Sequence, residues 1–171
     1  LRTHPVTVNR IAETRERADS LPRPEVRDAA GYSLTRARIR VLSASTPQKA
    51  LEFFLGEQQN PKSVGNLGTD YGIALVRMQL GEYGAARDLF QSLRAAHPGT
   101  IPFHTGLANA ELALGNKSQA LSIYDQAMAL FPRNVPLTVR YAEALLANGD
   151  AKKAHNILLD LLNNVPPTAQ Q

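Results

Sequence analysis

The side chains best suited to ligate a metal or shuttle a proton near neutral pH are four histidines, His4, His97, His104 and His155. None is followed by Glu, and no two lie four residues apart, so the His-Glu-x-x-His helix of a zinc peptidase is not present in these residues. The chain has no cysteine, which removes thiolate ligands, cysteine nucleophiles and disulfides together. Nowhere do an acid, a base and a nucleophile cluster as a catalytic set would. Each histidine also has an ordinary structural reading. His97 precedes Pro98, where it can meet the C-terminus of a helix, His104 takes a large-residue core position, His155 lies within a helix, and His4 precedes Pro5 at a helix entry. These residues are therefore expected to hold no cofactor and to perform no catalysis, which leaves recognition as their chemistry.

Charge narrows what is recognised. The 171 residues carry a formal charge of +4, and all of it lies in residues 1–40, with nine Arg against five acidic residues. Residues 41–171 carry ten basic and ten acidic residues. A nucleic-acid partner, which needs a basic surface along the binding element, is not expected. No apolar run approaches the roughly 20 residues of a membrane helix. The chain starts at Leu1 with no basic-then-apolar leader, and reads as a fragment or processed product.

The elements that would do the recognising show themselves through a period. Pro98, Pro132 and Pro166 are spaced by 34 residues, and so are Gly81, Gly115 and Gly149. The same step relates Ala74, Ala108 and Ala142, and again Ala86, Ala120 and Ala154. Each column has a role in a helix–turn–helix unit. The paired small residues allow close approach of two helices. The glycine ends the first helix, where positive φ is needed, and the proline stops the second, because it has no N–H to donate. Between the markers the apolar residues follow helical spacing, as in Tyr83, Ala86, Phe90 and Leu93.

Leu107–Asn116 and Tyr141–Asp150 closely resemble the tetratricopeptide repeat (TPR). That resemblance implies an all-α fold, a right-handed superhelical solenoid of antiparallel helix pairs. Three full repeats are expected at 67–100, 101–134 and 135–168. Residues 31–66 read as a degenerate pair, Tyr32–Leu42 and Pro47–Glu57, with Thr46 as N-cap, Ala50 and Phe54 in the core, and a loop over Gly56–Gly68. Residues 1–30 read as linker helices, with Val8, Ile11, Thr14 and Ala18 on one side of a charged helix. The last repeat closes at Pro166 without a polar capping helix. Apolar residues around Leu158, Leu159 and Leu162 are thus expected to pair between copies as a homo-oligomer or to meet a partner.

The same resemblance places a partner in the concave groove of the superhelix. Its groove positions fall on Tyr71, Leu75 and Met78, then Thr105, Asn109 and Leu112, then Val139, Glu143 and Leu146. This mixed but apolar face suits an extended or helical polypeptide. Asn109 and Arg140 match positions of the cochaperone carboxylate clamp, but Tyr71 replaces its first lysine, and Gly106 and Pro136 replace polar groove residues. A chaperone-tail clamp is not expected.

The segment Thr3-His4-Pro5 with Arg10-Ile11 resembles the end of the catalytic region in periplasmic zinc metalloproteases with a C-terminal TPR tail, of the β-barrel assembly-enhancing type. The resemblance implies a protease domain upstream that carries the zinc, a periplasmic location, and outer-membrane proteins or their assembly machinery as partners. His4 would match the histidine with which some members plug their zinc. The alternative is a stand-alone TPR scaffold or adaptor, with residues 1–40 as its helical cap.

Overall fold

The computed structural model describes residues 8–20, 30–60 and 66–164, and among these the chain is helices and short turns with no strand. Three antiparallel pairs follow one another: α4 (Leu67–Gln79) with α5 (Tyr83–Ala96), α6 (Ile101–Ala113) with α7 (Lys117–Leu130), and α8 (Val135–Ala147) with α9 (Ala151–Asn164). They are preceded by α1 (Val8–Ser20), α2 (Ala30–Ser43) and α3 (Pro47–Gln58).

Local chemistry sets the helix ends. Asn66 and Asn134 cap α4 and α8, their side-chain oxygens accepting from Gly68 N at 2.9 Å and Leu137 N at 3.1 Å. Thr46 caps α3 in the same way, accepting from Lys49 N at 3.3 Å with Pro47 in the first turn. At the other end, Gly81, Gly115 and Gly149 sit at φ of 77°, 83° and 88°. Each closes a two-bond cap. At the second turn Gly115 N donates to Leu112 O at 3.0 Å and Asn116 N to Glu111 O at 2.9 Å, which satisfies carbonyls the ending helix would otherwise leave open.

Small residues bring the helices of each pair together. Ala74, Ala86, Ala108, Ala120 and Ala154 are all at most 1% exposed. A second device joins one pair to the next. The Phe54 ring of α3 lies on Gly72 of α4, and the Phe90 ring of α5 lies on Gly106 of α6, so close that a Cβ at either glycine would fall 2.4 Å from a ring carbon. These rings fill the space a side chain would otherwise need. At the third junction the same column holds Arg140, and α7 meets α8 over a smaller contact than joins α5 to α6.

The first helices depart from the expected degenerate pair. The α2 helix lies chiefly along α4 and touches α3 little. Its buried stripe, Leu34, Ala37 and Val41, faces the array, and the Ser33 carbonyl lies against Gly68, where a Cβ would fall 2.7 Å from its oxygen. Ala50 and Phe54 of α3 are buried at 1% and 2%. Between α2 and α3 a cleft of about 240 Å³ remains, bridged by Arg36–Glu57 at 3.2 Å and by the Arg40 guanidinium 3.9 Å above the Phe53 ring. The Gly56–Gly68 segment is also not all loop, since α3 continues through Gly56 to Gln58 and α4 begins at Leu67; residues 61–65 lie outside the described residues. No other helix packs on α1 among the described residues. The side chains of Val8, Ile11 and Ala18 lie outside the description, and Thr14 is exposed.

Candidate functional site: the concave groove

The first helices of successive pairs, α4, α6 and α8, lie side by side with α2 next to α4. Between them runs a groove of about 510 Å³. Of the nine positions named from the sequence, Tyr71, Leu75, Met78, Thr105 and Asn109 line it. Leu112 packs half-buried against the core, while Val139, Glu143 and Leu146 are exposed on α8 outside the recess. The recess also has walls beyond those nine positions, of which the sequence places only Gly106, Pro136 and Arg140 in the groove. Arg38, Val41 and Leu42 come from α2, Ile101 and Pro102 from the start of α6, and Leu137 and Arg140 from α8. Seven-residue spacing of Leu34 and Val41, with Ala37 between, is the signal that α2 belongs to the first-helix layer.

Tyr71 needs correction as a groove anchor. It is 5% exposed, with its ring edge against Phe90 at 6.2 Å and beside Phe103 at 5.7 Å. Burial pushes its hydroxyl above the ordinary tyrosine value, while nearby Arg38 pulls the other way. Tyr71 is thus a pillar between α4, α5 and α6 that shows the groove little more than an edge. The apolar surface a ligand would touch comes instead from half-buried Leu75 and Met78 and from Leu42, which is 70% exposed.

Polar groups at the groove are mostly committed. The Thr105 hydroxyl donates back to the carbonyls of Pro102 at 3.2 Å and Ile101 at 3.4 Å. Asn109 accepts at its side-chain oxygen from the Tyr124 hydroxyl at 2.9 Å. Burial pushes that hydroxyl up to about 12, and the Tyr124 ring stacks on Tyr141 with centroids 5.4 Å apart. The Tyr141 hydroxyl in turn donates to Asp125, which pairs with Lys153 at 3.1 Å. Arg140 pairs with Glu143 at 3.1 Å, both side chains more than half exposed.

The histidines do not converge. His104 is 2% exposed, with Nε2 2.8 Å from the Pro98 carbonyl and its ring edge on Phe131, and its buried Nδ1 has no partner among the described residues. His97 meets Phe103 edge-on at 6.2 Å, and His155 is exposed on α9. His4 lies outside the described residues. Among the described residues no group of three His, Asp or Glu side chains is placed to hold a metal. No helix among them is long and apolar enough to cross a membrane.

Known proteins share this architecture. Over 99 residues the chain is 30% identical to the β-barrel assembly-enhancing protease of Escherichia coli K12, a stretch covering 58% of this chain and 20% of that protein. The Shigella flexneri protein of the same name matches equally, so the chain spans about a fifth of the length of the curated relatives it matches. Among solved structures, the type III secretion translocator chaperone SycD of Yersinia enterocolitica is 26% identical, with a TM-score of 0.52 over 63% of this chain and 83% of that one. A thermophilic TPR protein of Thermus thermophilus superposes with a TM-score of 0.64 over 79% of this chain and 74% of its own, at 22% identity, a likeness of fold alone. The tetratricopeptide-repeat pattern itself matches residues 77–127 and 118–171, more than half the chain. Its glycine-turned helix pairs and this match together show that the chain belongs to the tetratricopeptide-repeat family of protein-interaction modules.

Proposed function

We propose that the groove between α2, α4, α6 and α8 holds an apolar segment of another protein, and that the chain is the recruiting tail of a periplasmic metalloprotease that handles outer-membrane proteins and their assembly machinery. The observation that carries the first half is the groove itself, about 510 Å³, with Leu42, Leu75 and Met78 on its walls. The second half is supported by the 30% identity to the β-barrel assembly-enhancing protease, which falls on a fifth of that protein. In this reading the zinc and the peptidase chemistry belong to a separate catalytic part, and these residues bring substrates or assembly factors to it. The alternative, a stand-alone scaffold, draws on the likeness to SycD, a chaperone of which the chain covers 83%. Both readings need a polypeptide in the groove.

Affinity capture from the periplasmic extract of a Gram-negative bacterium tests the proposal. Wild-type chain is compared with a Leu42→Ala/Leu75→Ala variant of equal helicity, Tyr71 being left intact because it is core. Capture of outer-membrane proteins or assembly factors that the variant loses is the expected result. Capture that the variant retains unchanged would sink the groove assignment. An upstream reading frame without His-Glu-x-x-His would remove the protease half and leave the scaffold.

A further inference from the structure

If the groove holds a polypeptide, as proposed, the charges around it narrow which segment fits. Among the described residues two charged side chains line the recess, Arg38 on α2 and Arg140 on α8, and no carboxylate does. Arg38 belongs to the basic first forty residues, whereas Arg140 stands in a stretch, residues 41–171, with equal numbers of acidic and basic side chains, so general basicity does not account for it. The two arginines sit on the outermost of the four helices that wall the groove, with the apolar walls between them.

Each end is able to receive an anion. Arg38 is exposed and makes no ion pair or hydrogen bond with another described residue. Arg140 does have a partner, Glu143 one turn further along α8, at 3.1 Å. Both are more than half in water, where such a pair is weak and exchanges readily with a competing carboxylate. Beside it, Asn109 spends its side-chain oxygen on the Tyr124 hydroxyl, so its amide N–H groups have no partner among the described residues. The Arg140 end thus offers a guanidinium with neutral donors nearby, and the Arg38 end a lone guanidinium. The middle offers Leu42, Leu75 and Met78.

We infer that the groove selects an extended segment whose apolar side chains are flanked on both sides by internal Asp or Glu residues, one carboxylate meeting Arg38 and the other Arg140. The span sets the length. Four packed helices at about 9 Å spacing cover on the order of 27 Å, which an extended chain crosses in about eight residues. Apolar burial supplies the attraction common to many segments, and the two arginines sort among them by charge.

Fluorescence anisotropy with labelled twelve-residue peptides tests this on the whole chain. The peptides share one apolar run and blocked termini, and differ in carrying Glu, Gln or Lys at both flanks. A fourth has Gln flanks and a free C-terminal carboxylate. The Glu-flanked peptide should bind about tenfold tighter than the Gln-flanked one in low salt, and the Lys-flanked peptide weakest. Arg38→Gln and Arg140→Gln should each remove a few-fold of that preference, and the double variant nearly all of it. The Leu42→Ala/Leu75→Ala variant should weaken every peptide alike. Equal affinity for the Glu and Gln peptides, with binding still weakened by Leu42→Ala/Leu75→Ala, would overturn the acidic preference and leave the groove reading intact. Preference for the free C-terminus over the Glu flanks would overturn it in favour of a chain end. Failure of all peptides to bind, or indifference of all of them to the leucine variant, would overturn the inference and the groove reading together.

Discussion

Replacing Gly106 by alanine sets two effects of known size against each other. Alanine inside a helix is favoured over glycine by about 1 kcal/mol. Against this, a Cβ at Gly106 would lie 2.4 Å from Cε1 of Phe90 and 2.6 Å from both Cδ1 and Cζ. Carbon atoms in contact prefer about 3.5–4 Å, so three ring atoms would each overlap by roughly 1 Å. The ring has nowhere to retreat, since Phe90 is 0% exposed and is held edge-to-face by Tyr71 at 6.2 Å. Relief therefore means splaying α5 from α6, and overpacking of this kind costs about 1–3 kcal/mol. Three simultaneous overlaps on a fully buried ring put the cost in the upper part of that range, about 2–3 kcal/mol, so the expected net loss is about 1–2 kcal/mol, or a melting temperature lower by roughly 2–8 °C for a chain this long. Thermal unfolding followed by helical circular dichroism reads it directly. Gly56→Ala is the control, because nothing lies within 4 Å of its Cβ site, and it should hold or raise the melting temperature. In a double-mutant cycle, Phe90→Leu should soften the cost of Gly106→Ala, giving a favourable coupling. A Gly106→Ala protein that melts at or above the wild type would refute the ring-on-glycine account.

Two further outcomes are expected of the same chain. Burial raises the folded-state value of Tyr124 to about 12 from an unfolded 10.0, so the neutral hydroxyl favours the fold, and that contribution is whole below pH 10 and lost as pH rises toward 12. It amounts to at most about 2–3 kcal/mol; urea unfolding should show the wild type losing more stability than Tyr124→Phe between those pH values, and equal losses would argue against it. Gly115→Ala places a Cβ at φ 83° in the turn between α6 and α7, and should lower stability by about 1–2 kcal/mol. Gly115→Asn should cost less because Asn tolerates this region better, and an alanine variant as stable as wild type in chemical denaturation would contradict the turn account.

What the sequence revealed divides along physical lines. The 34-residue columns report local requirements, such as positive φ at Gly81, Gly115 and Gly149 and alanines where two neighbouring helices touch. These stay visible in the chain because each is satisfied within a few residues. Placement of α2 was not legible in this way. The sequence offers Tyr32–Leu42 as the first helix of a degenerate pair, but Arg36, Arg38 and Arg40 interrupt its buried stripe of Leu34, Ala37 and Val41 and hide that it lies along α4 rather than α3. Tyr71 misled for the opposite reason. Its repeat position faces a groove, but its burial depends on Phe90 and Phe103, which lie on other helices and reach it only after folding. Gly72 and Gly106 also share the 34-residue step. Their meaning emerges only with the phenyl ring that occupies each vacancy.

That glycine column connects the packing of the array to its groove. Where it holds Gly72 or Gly106, the preceding phenylalanine seats on the helix backbone and successive pairs close tightly. At the third repeat it holds Arg140, and the residue one repeat after Phe90 is Tyr124. This ring stacks instead on Tyr141, and its hydroxyl goes to Asn109. The consequences run in two directions. The α7–α8 joint keeps a smaller contact than the α5–α6 joint, so polar ties carry more of it, including the Tyr141–Asp125–Lys153 set. The arginine that cannot accept a ring lines the groove, next to the asparagine that Tyr124 orients. One departure from the repeat pattern therefore loosens a joint and supplies the recess with a cation. The same column holds a second arginine at position 38, one repeat before Gly72, so its two ends supply both cations of the recess while its two middle members, Gly72 and Gly106, seat the phenyl rings.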